Sequence, residues 1–228
     1  MTGRGGAADV EWVLFDLNGT LLDPSTLSAH LPAPLDTEAV ALDLLDETIM
    51  QAMVDTLVGR ERPFGEYLGA ATSRTLRLAN VSDTAELVDE TIAAVRQMPA
   101  FPEVPGALDL LREGGMQLGV LTNSATAVAE NALMSAGLRD RFDGVVGSDL
   151  AGVFKPHPRV YRTGMDRLGA SPDHACFVAA HGWDTHGAKA VGMRTAWVSR
   201  KERLLLDTLA PPDLTGADVA EVARGILG

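Results

Sequence analysis

Cysteine is all but absent from this chain of 228 residues: Cys176 is the only one. An internal disulfide is therefore impossible and a thiolate-based zinc site is excluded. A reducing cytoplasm is the compartment such cysteine usage leads one to expect. Long apolar runs are missing too. None approaches the roughly 20 residues needed to span a bilayer, and Met1–Asp9 is Gly-rich and polar, without the apolar stretch of a signal peptide. Positive charge is scarce: 19 Lys and Arg against 31 Asp and Glu leave a net charge of −12. Such a balance argues against nucleic acid or anionic membranes as partners, although a small anionic substrate senses only its own pocket. There is no Gly-x-x-x-x-Gly-Lys phosphate loop, Ser124 sits in no Gly-x-Ser-x-Gly elbow, and no repeat or low-complexity segment is visible. The five histidines form no metal pattern, because His181 and His186 lack the i, i+4 spacing of a zinc pair, and His30, His157 and His174 read as surface or loop residues.

What is present is the composition of an ordinary soluble globular protein of one or two domains, 46% apolar and 22% charged. Val10–Phe15 is a short apolar run bounded by polar residues and reads as a buried strand. The three prolines between Pro24 and Pro34 mark a loop. From Leu35 to about Gln97 the pattern is helical: Val40, Leu44, Leu45, Thr48 and Ile49, then Met53, Leu57 and Val58, recur at three- and four-residue steps. Arg60–Phe64 breaks this run, and further helices are expected over 65–78 and 84–96. A proline-rich hinge at Pro99–Pro105 follows. Beyond it helices (105–113, 126–136, 159–168, 185–190) alternate with strands (117–121, 144–147, 175–179, 194–198). Trp12, Trp197 and Cys176 fall inside strands and read as packing residues. Alternation of this kind builds a parallel sheet with helices on both faces. The expected organisation is an α/β core (residues 1–22 and 99–228) interrupted by a helical unit (23–98).

In open parallel sheets, ligands bind beyond the carboxyl ends of the strands. Four polar clusters lie there: Asp16 with Asn18 and Thr20, then Thr122-Asn123-Ser124, Lys155-Pro156, and His181-Gly182-Trp183-Asp184. Each has a bland reading, as turn residue, helix cap or surface lysine. All four in this order, in an α/β chain with a helical insert after the first, are hard to ascribe to chance.

The stretches Phe15–Leu21, Leu121–Ser124, Phe154–Pro156 and Phe177–Asp184 together resemble the haloacid dehalogenase superfamily. That resemblance spans the whole core and implies a Rossmann-like parallel sheet with an inserted all-helical cap. It implies that Asp16 is a nucleophile. Phosphatases of this superfamily typically carry a second Asp two residues later, as general acid and base, and bind Mg²⁺ through an acid on the last motif. Asn18 and Ala180 stand in those places, and Mg²⁺ demands hard oxygen ligands in a near-octahedral array. The run Ala179–Asp184 is instead similar to the type II (L-2-haloacid) dehalogenase version, and Tyr161, six residues after Lys155, matches that subclass's spacing.

The resemblance therefore implies a metal-independent, cofactor-free hydrolase acting on short 2-haloacids. Asp16 would displace halide to form an ester, and water activated by Asp184 would cleave it. Lys155 is expected to keep Asp16 ionised, Thr20 to orient it, and Tyr161 to hold Lys155 or Asp184. Leu17 and Asn18 beside the nucleophile are expected to meet the substrate. Thr122 and Asn123 would donate to its carboxylate or to the departing halide. Trp183, Ile49 and Phe64 would form an apolar wall, with His181 against substrate or water. Dehalogenases of this type also carry a cap arginine, whose position falls on Leu45; Arg60 and Arg62 are near in sequence but end a helix. Ring-opening of a small cyclic carboxylate such as azetidine-2-carboxylate would use the same parts, a rebuilt Mg²⁺-dependent phosphatase is a third reading, and a non-enzymatic acid-binding protein a fourth. A homodimer is expected by analogy alone.

Overall fold

The computed structural model describes residues 10–82 and 84–228. Six strands, β1 (Trp12–Phe15), β2 (Gln117–Thr122), β3 (Gly144–Gly147), β4 (Ala175–Ala179), β5 (Arg194–Val198) and β6 (Leu214–Gly216), form one sheet in the order β3-β2-β1-β4-β5-β6. Every pairing is parallel. β1 lies at the centre, aligned with β2 from Trp12 opposite Gln117 to Phe15 opposite Val120, and with β4 from Trp12 opposite Ala175 to Phe15 opposite Val178.

Alternation along β1 explains why the run is apolar without a break. Val13 and Phe15 point to one face, where they pack with residues of α4 (Val104–Glu113), α5 (Thr126–Ser135) and α8 (Val219–Leu227). Trp12 and Leu14 point to the other, against α6 (Pro158–Leu168) and α7 (Gly182–Lys189). A strand covered on both faces needs apolar side chains at even and odd positions alike. The chain leaves β1 toward β2 on one side and later returns to β4 on the other. The carboxyl ends of β1 and β4 thus flank the point where the winding direction switches, the usual position of a ligand crevice in such sheets.

Between β1 and β2 the described residues contain no strand of the sheet; the chain forms a 3-10 segment over Pro24–His30 and then α1 (Glu38–Leu57), α2 (Phe64–Leu78) and α3 (Ala85–Ala94). The segment expected as a loop is therefore partly helical: Asp23 caps it by accepting from the Ser25 amide, and Pro24 suits a first helical turn. Thr37 and Thr84 cap α1 and α3 with their hydroxyls. Leu44, Leu45, Thr48 and Ile49 are buried as the periodicity implied. Farther along α1 the stripe fails, because Leu57 and Val58 are 85% and 63% exposed. The insert also meets the core directly: Thr56 Oγ1 accepts from the Phe154 amide at 3.1 Å, and Lys201 pairs with Asp46.

Other differences from expectation are few. Helix α7 begins at Gly182, three residues earlier than expected, so Asp184 lies in its first turn. β6 and α8 were not expected at all. β6 has three residues, too few for an alternation to register. α8 did carry a signal: Val219, Val222, Ala223 and Ile226 are buried at helical spacing, behind an Asp218 cap that accepts from the Glu221 amide at 2.7 Å. Because Leu14 is completely buried in the sheet–α6 layer, Leu14→Ala is expected to cost about 2–5 kcal/mol of unfolding free energy; a urea titration reads it, and a change under half a kilocalorie would contradict this placement.

Candidate active site

The polar residues expected at the strand ends converge on one side chain. Lys155 is fully buried, and each of its three ammonium protons has an acceptor: Asp16 Oδ1 at 2.8 Å, Asp184 Oδ2 at 2.6 Å and the Leu121 carbonyl at 2.9 Å. The Leu121 carbonyl is available because β2 ends beside β1 in the register that sets Phe15 opposite Val120. Lys155 is itself pinned, since its backbone amide donates to Asn123 Oδ1 at 2.8 Å.

Asp16 follows β1 directly, and its amide continues the ladder to the Val178 carbonyl at 3.0 Å. Its second oxygen, Oδ2, accepts from the Thr20 hydroxyl at 2.9 Å, and that hydroxyl accepts in turn from the Ala180 amide at 2.9 Å. Thr20 thus orients Asp16 and ties the ends of β1 and β4. The turn between them needs Gly19, whose φ is +84° and where a Cβ would sit 3.0 Å from His181 Cε1. Asp184 is completely buried, with Oδ1 accepting from the Tyr161 hydroxyl at 2.5 Å. Tyr161 reaches it because Gly187, one turn along α7, leaves room; a Cβ there would lie 2.6 Å from the tyrosine oxygen.

Electrostatics separates the two carboxyls. Burial by itself raises the pKa of Asp16, but the Lys155 ammonium, aided by His181, outweighs it and holds Asp16 well below the usual carboxylate range. Burial also dominates at Asp184, and there the opposing pull of Lys155 is countered by the negative charge of Asp16, so Asp184 is pushed up to about 6. Lys155 is raised despite its burial by the two carboxylates it touches, and burial together with Asp184 raises Tyr161 well above the ordinary tyrosine value. One carboxyl is therefore permanently charged and the other can exchange a proton near neutrality, the division of labour that acid–base chemistry needs.

The remaining expected residues divide. His181 is buried, stacks on Trp183 (5.4 Å, 28°) and brings Nδ1 to 3.5 Å from Asp16 Oδ2, without a hydrogen bond. Asn18 is buried with Oδ1 unpartnered. Ile49, His181 and Trp183 line one cavity of about 260 Å³, and His181 also lines a larger one of about 490 Å³ with Gly19, Leu45 and Arg200. Phe64 does not join that wall. It packs on Phe154 (6.0 Å) and lines a separate 150 Å³ cavity with Ser124. Leu17 is corrected as well: its side chain belongs to the core beside Leu21 and Leu22, because the turn after β1 folds it inward. Thr122 and Asn123 are occupied in part with holding the loop, Thr122 Oγ1 accepting from the Ser124 amide and Asn123 Oδ1 from Lys155. Arg62 pairs with Asp55 and Glu66 instead of reaching a cavity beside Asp16. Sequence reasoning missed Gly187 and the Leu121 carbonyl. Neither carries a local signal, since each acts through a contact made only in three dimensions.

The residues present do not make a Mg²⁺ site. Asn18 and Ala180 supply no carboxylate, the Lys155 ammonium stands between the two acids that remain, and among the described residues no three His, Cys, Asp or Glu side chains gather closely enough to hold an ion.

A family model of haloacid dehalogenase-like hydrolases matches residues 10–192. The chain belongs to this family. Haloacetate dehalogenase H-2 of Moraxella sp. (strain B) is 29% identical over 209 residues, covering 90% of this chain and 93% of that protein. A solved L-2-haloacid dehalogenase superposes with a TM-score of 0.91 at 26% identity, covering 96% of this chain and all of the other. A phosphoserine phosphatase of Thermus thermophilus is 34% identical over 164 residues, but these cover 72% of this chain and 63% of that protein. Haloacid dehalogenase-like hydrolases thus include relatives of both chemistries, and only the site separates them.

Removing Lys155 should leave two buried acids without the ammonium that bridges them, with only the His181 ring beside Asp16. Lys155→Met is expected to destabilise the fold by about 3–5 kcal/mol at pH 7.5. Asp184, already raised by burial, then loses the opposing pull of Lys155 and moves further above its unfolded value, so the penalty is full above that raised value and fades as pH falls through it. Denaturant titrations at pH 7.5 and pH 5 test this; a penalty that grows on acidification would refute it.

Proposed function

We propose that the protein is a metal-independent dehalogenase that displaces halide from short 2-haloacids through an ester on Asp16. The single observation that carries this reading is the Lys155 bridge in a site where Asn18 and Ala180 replace acids. Displacement at carbon requires a bare carboxylate and no proton for the leaving group, and Asp16 is held ionised by Lys155 and Thr20. Its similarity to the haloacetate and L-2-haloacid dehalogenases supports the same substrate class.

In the first step a lone pair of Asp16 attacks the carbon bearing halogen. The C–O bond forms as the C–halogen bond breaks, and halide leaves with the bonding electrons and with inversion. In the second step water attacks the Asp16 acyl carbon while Asp184 takes one of its protons; the tetrahedral intermediate collapses by breaking the acyl C–O bond to the substrate, the second water proton passes to the departing alkoxide to give the hydroxyacid, Asp16 is left as its carboxylate, and Asp184 returns its proton to solvent. A group with a pKa of about 6 suits that task near neutral pH. Tyr161 and Lys155 keep Asp184 aimed, Thr122 and Asn123 flank the strand end where donors are wanted, and His181 and Trp183 close the wall with Ile49. Residues 23–98 act as the cap that excludes bulk water, α1 supplying Ile49 and Leu45 to the cavities.

Two measurements test the reading. Halide release from 2-chloropropionate should persist in EDTA and vanish in Asp16→Asn, and one turnover in heavy-oxygen water should place label in the Asp16 peptide. Strict Mg²⁺ dependence, or label confined to product, would sink it. Because Asp184 must be deprotonated to accept a proton, turnover limited by ester hydrolysis should fall as pH drops below about 6; a kcat that stays level down to pH 4.5 would assign the base elsewhere.

A further inference from the structure

Hydrolysis of an ester on Asp16 ends with a proton reaching the departing alkoxide, on the oxygen that began as Asp16's own. The two Asp16 oxygens differ in what could supply it. Oδ1 takes a Lys155 proton at 2.8 Å, and Lys155 is completely buried with all three protons committed. Oδ2 accepts from the Thr20 hydroxyl at 2.9 Å and has His181 Nδ1 3.5 Å away. The His181 ring lines both the 260 Å³ and the 490 Å³ cavities, and the Asp16 side chain keeps 9% of its surface exposed. Of the two oxygens, Oδ2 is thus the one beside a residue that borders open space.

Buried polar groups nearly always find partners, and an exception calls for an explanation. Among the described residues, the buried side-chain nitrogen and oxygen atoms lacking a partner are Asn18 Oδ1, His181 Nδ1 and Arg200 Nε. Asn18 Oδ1 is an acceptor and has no proton to give. Arg200 lies over the Phe101 ring and pairs with Glu103. His181 Nδ1 is the one next to a reacting atom, and stacking on Trp183 fixes the ring there. Burial alone lowers the pKa of this ring, but the carboxylates of Asp16, Asp184 and Glu202 outweigh it and raise the ring above the ordinary histidine value. Of the other charged groups around the two cavities, Asp46 pairs with Lys201, Asp23 caps the Ser25 amide, and Glu38 is exposed at the start of α1. The Thr20 hydroxyl is nearer to Oδ2, but an alcohol is no stronger an acid than the hydroxyl of the product.

We propose that Asp16 Oδ2 is the attacking oxygen and that His181 Nδ1–H is the general acid that protonates it as it departs. Water gives one proton to Asp184 and its oxygen to the Asp16 acyl carbon. The acyl C–Oδ2 bond then breaks, Oδ2 leaves with the bonding electrons and takes the Nδ1 proton, and the new Asp16 carboxyl returns water's second proton to the ring. Esterification cancels the Asp16 charge, so the attraction that held the ring proton weakens at the stage when that proton must be released. An approach of 3.5 Å is long for a hydrogen bond, and catalytic hydrogen bonds commonly tighten in the reacting complex. This role rests on the dehalogenase reading, and the experiment separates the two.

Halide release and ester hydrolysis are followed by rapid quench for the wild type, His181→Asn and His181→Gln. The substrates are 2-chloropropionate and 2,3-dichloropropionate, whose product alcohol is the more acidic. Without the general acid, the first halide still leaves at a rate within a few-fold of the wild type. Ester hydrolysis with 2-chloropropionate slows about 10²-fold or more, and alkylated Asp16 peptide accumulates in mass spectrometry. The loss is several-fold smaller with 2,3-dichloropropionate, since a better leaving group needs less help. An equal loss with both substrates, or a slowed first halide with no ester accumulating, overturns the proposal. If neither variant folds, the wild-type pH profile decides: single-turnover ester hydrolysis falls on the alkaline side as His181 loses its proton, and a rate still level at about pH 10 overturns the role. A wild type that releases no halide and carries no ester on Asp16 defeats the dehalogenase reading and this role with it. A wild type that turns over, with variants that fail the leaving-group comparison, defeats the His181 role alone.

Discussion

An ammonium held between two carboxylates inside the protein is the interaction on which the rest of this structure depends. Taking Lys155, Asp16 and Asp184 out of water is costly, and the Coulombic return offsets that cost only where every proton and most lone pairs find partners. Here they do: the ammonium has two carboxylate oxygens and the Leu121 carbonyl, while Thr20 and Tyr161 each satisfy a further carboxylate oxygen. The three charges sum to a single negative one when both acids are ionised. That surplus falls unequally, because Asp16 also feels His181 while Asp184 has no exposed surface at all. The asymmetry that gives one acid a fixed charge and the other an exchangeable proton is thus a consequence of placement.

Placement in turn follows from winding. β1 and β4 are neighbours whose connections run to opposite sides of the sheet, so their carboxyl ends open into a shared crevice. Asp16 extends β1, and His181 caps the helix that follows β4. The Thr20 hydroxyl, bonded to Asp16 on one side and the Ala180 amide on the other, locks the two ends together. Lys155 arrives from a loop that Asn123 fixes to the end of β2. Three strand ends and the Lys155 loop therefore contribute to one cluster, and the long-range contacts that build the sheet also build the site.

Much of this was legible in the sequence. The apolar blocks at 10–15, 117–121, 175–179 and 194–198 marked strands because buried parallel strands tolerate polar residues only at their ends, which made Asp16, Thr122 and the Ala179–Asp184 run conspicuous. Phe64 was expected in the apolar wall with Trp183 and Ile49 and is not there, since periodicity gives the face of a helix but not what it packs against; Phe64 faces Phe154. β6 is not legible because three residues have no period, whereas the 219–227 helix carries one in Val219, Val222, Ala223 and Ile226.

The same reasoning bears on why relatives with this fold carry different chemistry. A phosphoserine phosphatase shares 34% identity with this chain over 164 residues, so overall similarity does not by itself fix the reaction. Reaction type is decided by few positions. A phosphatase must protonate its leaving oxygen and gather a dication against a dianionic substrate. At this strand end an amide at Asn18 has no proton to give, and a methyl group at Ala180 offers no ligand. Halide asks for neither. With a lysine neutralising one of two carboxylates, the crevice remains negative beside Asp16, which disfavours a phosphate dianion more than a monocarboxylate. The proposed chemistry at Asp16 is therefore the one that the electrostatics of this strand end favours: a carboxylate kept charged by Lys155 can attack carbon with neither a proton donor for the leaving group nor a metal ion beside it.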